Sequence, residues 1–249
     1  MHIFALANQK GGTGKTTVTI NLGAALARAE KHILLVDLDP QGSLTEYFTN
    51  PETLQHTIYD ALLNGVTVSP LKLGEYISLF PANIDLAAAE IQLPAKRFQE
   101  RTLSRVLKNY AGYDYCLIDC PPSLGVLTTN ALTAAQSVII PVSTELLAER
   151  TVKLIIATIE DIRDNDPMGN LQIWRILATI YDQRLAHHRE ILDALRVKYG
   201  QLLYREPVRA TTKYKDAVTE RVDAGDLDKK IATYWDTLAS VLIRESEVQ

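Results

Sequence analysis

Lys10-Gly11-Gly12-Thr13-Gly14-Lys15-Thr16-Thr17 is the stretch on which the fold turns. A short apolar run, His2 to Ala7, precedes it, and a run of helical composition, Val18 to Arg28, follows. A glycine-rich segment between a strand and a helix is the setting of a phosphate-binding loop. Glycine lets the backbone approach an anion and turn its N–H groups inward. The N-terminus of the following helix places about half a positive charge at the same point. Lys15 supplies a full charge to the terminal phosphates, and the Thr16 hydroxyl is placed to ligate Mg²⁺.

The loop departs from the usual G-x-x-x-x-G-K-[ST] pattern at one position. Gln9 stands where the first glycine belongs, and Lys10 follows it. This second lysine, five residues before Lys15, makes the stretch a deviant Walker A loop. An ordinary glycine turn is the bland alternative; the flanking strand, the helix and the two lysines outweigh it.

Outward from the loop, short aliphatic runs recur: His2–Ala7, Ile33–Asp37, Ile77–Phe80, Tyr115–Asp119, Ser137–Val142 and Ile173–Tyr181. Most are apolar on both faces, as buried parallel strands are. Helical stretches fall between them at Thr16–Arg28, Thr57–Leu63, Gln99–Tyr110, Leu124–Ala134, Glu145–Asp164 and Leu185–Tyr199. A terminal helix is expected from Asp228 to Glu247, with Ile231, Tyr234, Trp235, Leu238, Val241 and Leu242 on one face. Such alternation predicts an α/β fold, a predominantly parallel twisted sheet with helices on both faces. Ligands of these sheets bind beyond the carboxyl ends of the strands, where the Lys10–Thr16 loop lies. Asp164-Asn165-Asp166-Pro167-Met168-Gly169-Asn170 reads as a turn-rich connector because strand-like sequence resumes at once. Residues 1–249 are therefore expected to form a single domain.

Two further stretches carry carboxylates at strand ends. Val36-Asp37-Leu38-Asp39-Pro40-Gln41-Gly42 places Asp37 and Asp39 two apart, so both can lie on one side as the strand closes. A carboxylate there could hold a Mg²⁺-bound water or orient the attacking water; a loop capped by Asp side chains is the alternative. Cys116-Leu117-Ile118-Asp119-Cys120-Pro121-Pro122-Ser123 is an apolar strand ending in an acid, the Walker B arrangement that reaches the Mg²⁺ shell through water.

Composition narrows the classes. With 47% hydrophobic and 22% charged residues the chain is an ordinary soluble globular protein, and it has no apolar run long enough to span a membrane. Met1 leads almost directly into the first strand, so no signal peptide is expected and the protein is read as cytoplasmic. Cys116 and Cys120 would point to one face of a strand, too far apart to bridge, and are expected to be buried thiols. A net charge of −4 does not advertise nucleic-acid binding, yet residues 183–230 carry eleven Lys and Arg against eight Asp and Glu. A modest basic patch on an acidic protein follows.

Together these stretches resemble the ParA/Soj family of deviant Walker A ATPases, the group that also holds MinD and the nitrogenase iron protein. The resemblance rests on Asn8 to Thr17, Leu34 to Gly42 and Ile118 to Gly125, with Pro141-Val142, Glu145 and Tyr181-Asp182 in support. It implies a P-loop NTPase that hydrolyses ATP to ADP and phosphate with Mg²⁺. Gly11, Gly12, Thr13, Gly14, Lys15, Thr16 and Thr17 would hold the phosphates, with Thr16, Asp39 and Asp119 around the metal. Lys10 would cross to the nucleotide of the partner subunit in an ATP-sandwich homodimer, Asp39 would be the carboxylate needed for hydrolysis, and Lys15 would act on the phosphates. The base would be held around Pro207-Val208-Arg209. Here the chain has Arg205-Glu206-Pro207-Val208-Arg209 where relatives often carry Pro-Arg-Asn-Val-Arg, and Leu146-Leu147 where many have Tyr-Tyr.

The resemblance further implies a nucleoid-associated partitioning ATPase that binds nonspecific DNA as a dimer and is released when a ParB-like partner stimulates hydrolysis. Arg184, Arg189, Arg209, Lys213 and Lys215 are the expected DNA contacts. Plasmid or chromosome is the expected cargo; the same cycle positioning a protein cargo is the alternative. A MinD-like membrane cycle needs a basic amphipathic tail, and Arg244 to Gln249 is acidic without an aromatic anchor. A cluster-carrying electron-transfer role finds only Cys116 and Cys120 to work with.

Overall fold

The computed structural model describes residues 1–166 and 169–247. Among these, seven strands form one sheet: β1 His2–Leu6, β2 Ile33–Asp37, β3 Leu71–Lys72, β4 Ile77–Phe80, β5 Tyr115–Asp119, β6 Ser137–Ser143 and β7 Gln172–Thr179. Their order is β3-β4-β2-β5-β1-β6-β7. Every pairing is parallel except that of the short edge strand β3 with β4. The helices are α1 Lys15–Arg28, α2 Ser43–Phe48, α3 Ala87–Gln92, α4 Thr102–Leu107, α5 Val126–Ala134, α6 Ala148–Asn165, α7 Ala186–Tyr199, α8 Lys213–Glu220, α9 Ala224–Leu227 and α10 Lys229–Ser246.

The strands β2, β5 and β6 are buried along their whole length, because helices cover both faces, and their few polar side chains sit at the strand ends. One core layer joins Ile3, Ala5, Leu34 and Val36 to Leu103, Leu127, Ile155 and Leu192. The other joins Phe4, Leu6, Leu35 and Leu117 to Leu22, Leu26, Trp235 and Leu238. Cys116 and Cys120 both belong to the first layer as free, buried thiols. Gly23 lets α1 lie close on the sheet, since a Cβ there would come within 2.8 Å of Leu35 Cδ2. On α10, Trp235, Leu238, Ala239 and Leu242 are buried, with Ile231, Tyr234 and Val241 at the margin of the same stripe.

The six strands read from the sequence are all present, within two residues at each end. Two helical expectations are corrected. The segment Thr57–Leu63 is no regular α-helix: Asp60–Asn64 winds as a π-helical turn closed by Gly65 at φ 66°. Gln99–Tyr110 begins as a 3₁₀ turn, Gln99–Arg101, before α4 takes over. In the connector, Asp164 and Asn165 still belong to α6, while Pro167 and Met168 lie outside the described residues, as do Val248 and Gln249 of the tail. Among the described residues no helix is long and apolar enough to cross a membrane.

Candidate functional site

Parallel pairing brings the two motif strands side by side. β5 lies between β2 and β1, with Asp119 in register with Leu6 on one side and Asp37 on the other. The glycine loop leaves β1 and enters α1 through Gly14, whose φ of 82° is the left-handed conformation that favours glycine. Two bonds fix the loop to the neighbouring strands and a third braces it internally. Asn8 Nδ2 donates to the Pro141 carbonyl at 2.7 Å, Lys10 N–H donates to Asn8 Oδ1 at 3.0 Å, and the Thr179 hydroxyl donates to the Thr13 carbonyl at 2.8 Å.

A cavity of about 710 Å³ opens over this loop. Gly11, Gly12, Gly14, Lys15, Thr16 and Thr17 form its floor, and Asp39 stands on its wall. Thr13 is turned inward and buried beneath. Thr16 Oγ1 donates to Asp119 Oδ2 at 2.6 Å, whereas Asp119 Oδ1 is buried with no partner. Burial, reinforced by the charge of Asp37, pushes the Asp119 carboxyl up to about 8. The Asp119 carboxyl with its orphaned oxygen, the Thr16 hydroxyl and Asp39 on the cavity wall form an all-oxygen donor set, which suits Mg²⁺.

The two aspartates of the second motif separate. Asp37 is buried, accepts from the Thr45 amide at 2.8 Å and the Thr45 hydroxyl at 2.7 Å, and is pushed up to about 6 by burial. Thr45 Oγ1 in turn accepts from Ala82 N–H at 2.8 Å, so Asp37 anchors α2 to the end of β4. Asp39 is left half-buried on the cavity wall, its Oδ1 accepting from the Gln41 amide at 2.9 Å.

Lys10 turns away from this cavity. Its Nζ lies 2.5 Å from Glu145 Oε2 and 3.4 Å from Ser143 Oγ, at the end of β6. The ion pair is partly exposed, and Leu146 and Leu147 beside it are 81% and 58% exposed. Lys15, by contrast, is buried, with Nζ 3.4 Å from the Asn8 carbonyl.

Pro207 is not among the residues that line the loop cavity; it lines a second one with Arg209, Tyr214 and Tyr234. The wall facing the loop comes instead from α2 and the end of α8: Ser43, Glu46, Tyr47, Val218, Thr219 and Arg221. The Tyr47 hydroxyl donates to the carbonyls of Val222 and Ala217, fastening the two helices together. Neither α2 nor α8 carries a motif, so no local signal in the sequence marks this wall.

The expected basic positions gather at the β7 end of the sheet. Tyr181 bridges Arg209, with Tyr181 N–H donating to the Val208 carbonyl at 3.0 Å and Ala210 N–H to the Tyr181 carbonyl at 2.9 Å. That places the segment leading to Arg184 beside Arg209, while Lys213 and Lys215 follow on α8. Arg184 is engaged by Asp182 at 2.6 Å, Arg189 Nη1 by the Gln183 carbonyl at 2.7 Å, and Lys213 by Asp216 at 3.4 Å. Arg209 and Lys215 make no ion pair among the described residues.

Comparison with known proteins agrees with this architecture. A family model described as an AAA domain matches residues 1–173. The chain is 36% identical over 220 residues to the sporulation initiation inhibitor protein Soj of Bacillus subtilis, spanning 86% of this chain and 87% of Soj. It is 40% identical over 201 residues to the chromosome partitioning protein ParA of Myxococcus xanthus, spanning 78% of this chain and 70% of that protein. Crystal structures of a Mycobacterium smegmatis protein named cobyrinic acid a,c-diamide synthase, with ADP and magnesium or with an ATP analogue and magnesium, superpose with a TM-score of 0.86 at 36% identity, covering 99% of this chain and 96% of that one. In sequence over most of its length, and in fold, the chain belongs to the ParA/Soj family of P-loop NTPases.

Proposed function

We propose that residues 1–249 form one ATPase unit that segregates a plasmid or chromosome by a cycle of ATP-driven dimerisation, nonspecific DNA binding and hydrolysis stimulated by a ParB-like partner. The observation that carries the nucleotide half is the contact between Thr16 Oγ1 and Asp119 Oδ2, 2.6 Å, on the floor shared with Lys15. The loop N–H groups and Lys15 bind the phosphates of ATP. Thr16, Asp119 and Asp39 would hold Mg²⁺, which would supply charge neutralisation at the phosphates. Asp39, at the rim of that set, orients the attacking water and accepts its proton. Tyr47 and the end of α8 close the side away from the loop.

Dimerisation is supported by the position of Lys10. It sits at the rim of its own site, and the exposed Leu146 and Leu147 next to it offer an apolar surface to a second protomer. A lysine crossing between subunits would offset the repulsion of two nucleotides facing each other. DNA binding by Arg184, Arg189, Arg209, Lys213 and Lys215 is supported by the excess of positive charge over residues 183–230 and by the pairing of Tyr181 with Arg209; a dimer doubles this charge and gains avidity without new contacts. Amide synthesis, the reaction in the name of the mycobacterial protein, finds less support. Burial raises both thiols of this chain, Cys116 and Cys120, so neither is the thiolate that would release ammonia from glutamine.

Phosphate release and filter binding of random-sequence duplex DNA test the reading together. With ATP and Mg²⁺ the protein should bind duplex irrespective of sequence, and Asp39→Ala should retain that binding while its turnover falls about 100-fold. Absence of DNA binding at low salt would remove the partitioning role; an unchanged turnover would return Asp39 to a loop cap.

A further inference from the structure

A denser run of positive charge lies away from the nucleotide site and from residues 183–230. Residues 96–108 hold five Lys and Arg (Lys96, Arg97, Arg101, Arg105 and Lys108) against the single acid Glu100. Three of them, Lys96, Arg97 and Arg105, converge on one cavity of about 530 Å³ between the π-helical turn Asp60–Asn64 and α4. Asn64, Thr67, Thr102, Asn109 and Tyr110 add polar groups to its wall, and no carboxylate lines it.

The cations are held in place. Lys96 Nζ donates to the carbonyls of Leu63 at 2.7 Å and Leu62 at 3.2 Å, which end the π-helical turn. Arg105 Nη2 approaches the Phe98 carbonyl at 3.5 Å and Thr102 Oγ1 at 3.3 Å, leaving its other N–H groups for a ligand. Arg97 makes no ion pair among the described residues, and its guanidinium carbon lies 5.6 Å from the centre of the Phe98 ring. Phe98 is 62% exposed, on a backbone held at φ 54°. A bulky residue rarely adopts that left-handed conformation, so the turn keeps an aromatic face in solvent beside the cations at the expense of backbone strain.

Cations with hydroxyl and amide donors and no acid select a multiply oxygenated anion. An exposed aromatic ring next to Arg97 accepts a flat, unpaired base, because the faces of a base inside a duplex are already covered. We propose that this cavity binds a phosphate ester carrying an unstacked base: one nucleotide of a single strand, or a free mononucleotide. The site lies toward the β4 end of the sheet, whereas Arg209 lies beside β7 at the other end, so it is distinct from the proposed duplex surface and does not rest on that reading.

The test uses the full chain without ATP and a fluorescent twelve-nucleotide oligothymidylate, read by anisotropy across a salt series. Binding should be visible at low salt. Charge reversal of two exposed residues in Arg97→Glu/Arg105→Glu should lower the log–log salt slope by about 0.7 to 1.4, the single-strand value for one or two phosphates. Phe98→Ala should weaken binding roughly tenfold, the scale of one stacked base. The losses caused by Arg97→Glu/Arg105→Glu should be the same in an Arg209→Glu/Lys213→Glu background. Displacement of the oligonucleotide by AMP at equal phosphate concentration identifies a mononucleotide site, and displacement only by unlabelled oligonucleotide identifies a strand site; both support the proposal. No binding at low salt, or an affinity and slope unaltered in Arg97→Glu/Arg105→Glu, overturns it.

Discussion

Replacing Glu145 by Gln releases Lys10 from its own subunit, and the cross-subunit role proposed for that lysine then makes a quantitative demand. In the monomer Lys10 Nζ rests 2.5 Å from Glu145 Oε2, with side chains 35% and 50% exposed. A pair so open to solvent is worth about 0.2 to 1 kcal/mol. Each protomer must break it before its lysine can cross, so two protomers lose about 0.4 to 2 kcal/mol on dimerising. Glu145→Gln removes that cost and should tighten the ATP-dependent dimer about 2- to 30-fold. Sedimentation velocity in an Asp39→Ala background, with ATP and Mg²⁺, measures the constant without loss of nucleotide. The hydrogen bond from Lys10 is the main cause holding the Glu145 carboxyl below its usual range. A depressed carboxylate contributes above its unfolded pKa and loses the contribution only as pH falls through the lower, folded value. The gain from the substitution should therefore be constant from about pH 6 to 8 and shrink in high salt, where an exposed pair is screened. A dimer constant equal to the parent's, or weaker, would refute the latch and with it the idea that Lys10 must leave Glu145.

Lys15→Ala should abolish ATP binding in isothermal titration, since it removes the buried lysine of the cavity floor. Tyr47→Phe deletes the hydroxyl that bonds the Val222 and Ala217 carbonyls, and ATP affinity should fall about 2- to 10-fold in the same assay as the wall loosens. Gly14→Ala meets no crowding, its nearest neighbour being Thr179 Cβ at 3.9 Å, so denaturant melts should show a decrease of about 1 to 2 kcal/mol from the left-handed backbone alone. Arg209→Glu/Lys213→Glu should reduce the salt slope of ATP-dependent duplex binding by about 0.9 for each phosphate no longer neutralised, with dimerisation intact.

What could be read in advance follows from how far each signal reaches along the chain. Buried parallel strands announce themselves, because a strand covered on both faces must be apolar at successive positions, as Ile33 to Val36 and Cys116 to Ile118 are. The glycine loop is legible for a related reason: Gly14 needs its φ of 82° and Lys15 its charge whatever the rest of the protein does. The short helices escape. The eight residues of α8 and six of α2 carry too few turns to show a period, and they are stable only by docking onto the sheet and each other. The separate fates of Asp37 and Asp39 were equally hidden. Two residues apart, they are equivalent on a strand end; Thr45, eight residues on, decides between them by taking Asp37 for the core. Tyr47 then connects that decision to α8, whose Arg221 faces the same cavity as Asp39. The motif residues can thus be found one at a time, but the wall that completes their site is a tertiary fact. It joins α2, after the second strand, to a helix some 170 residues later, a separation that no local pattern spans.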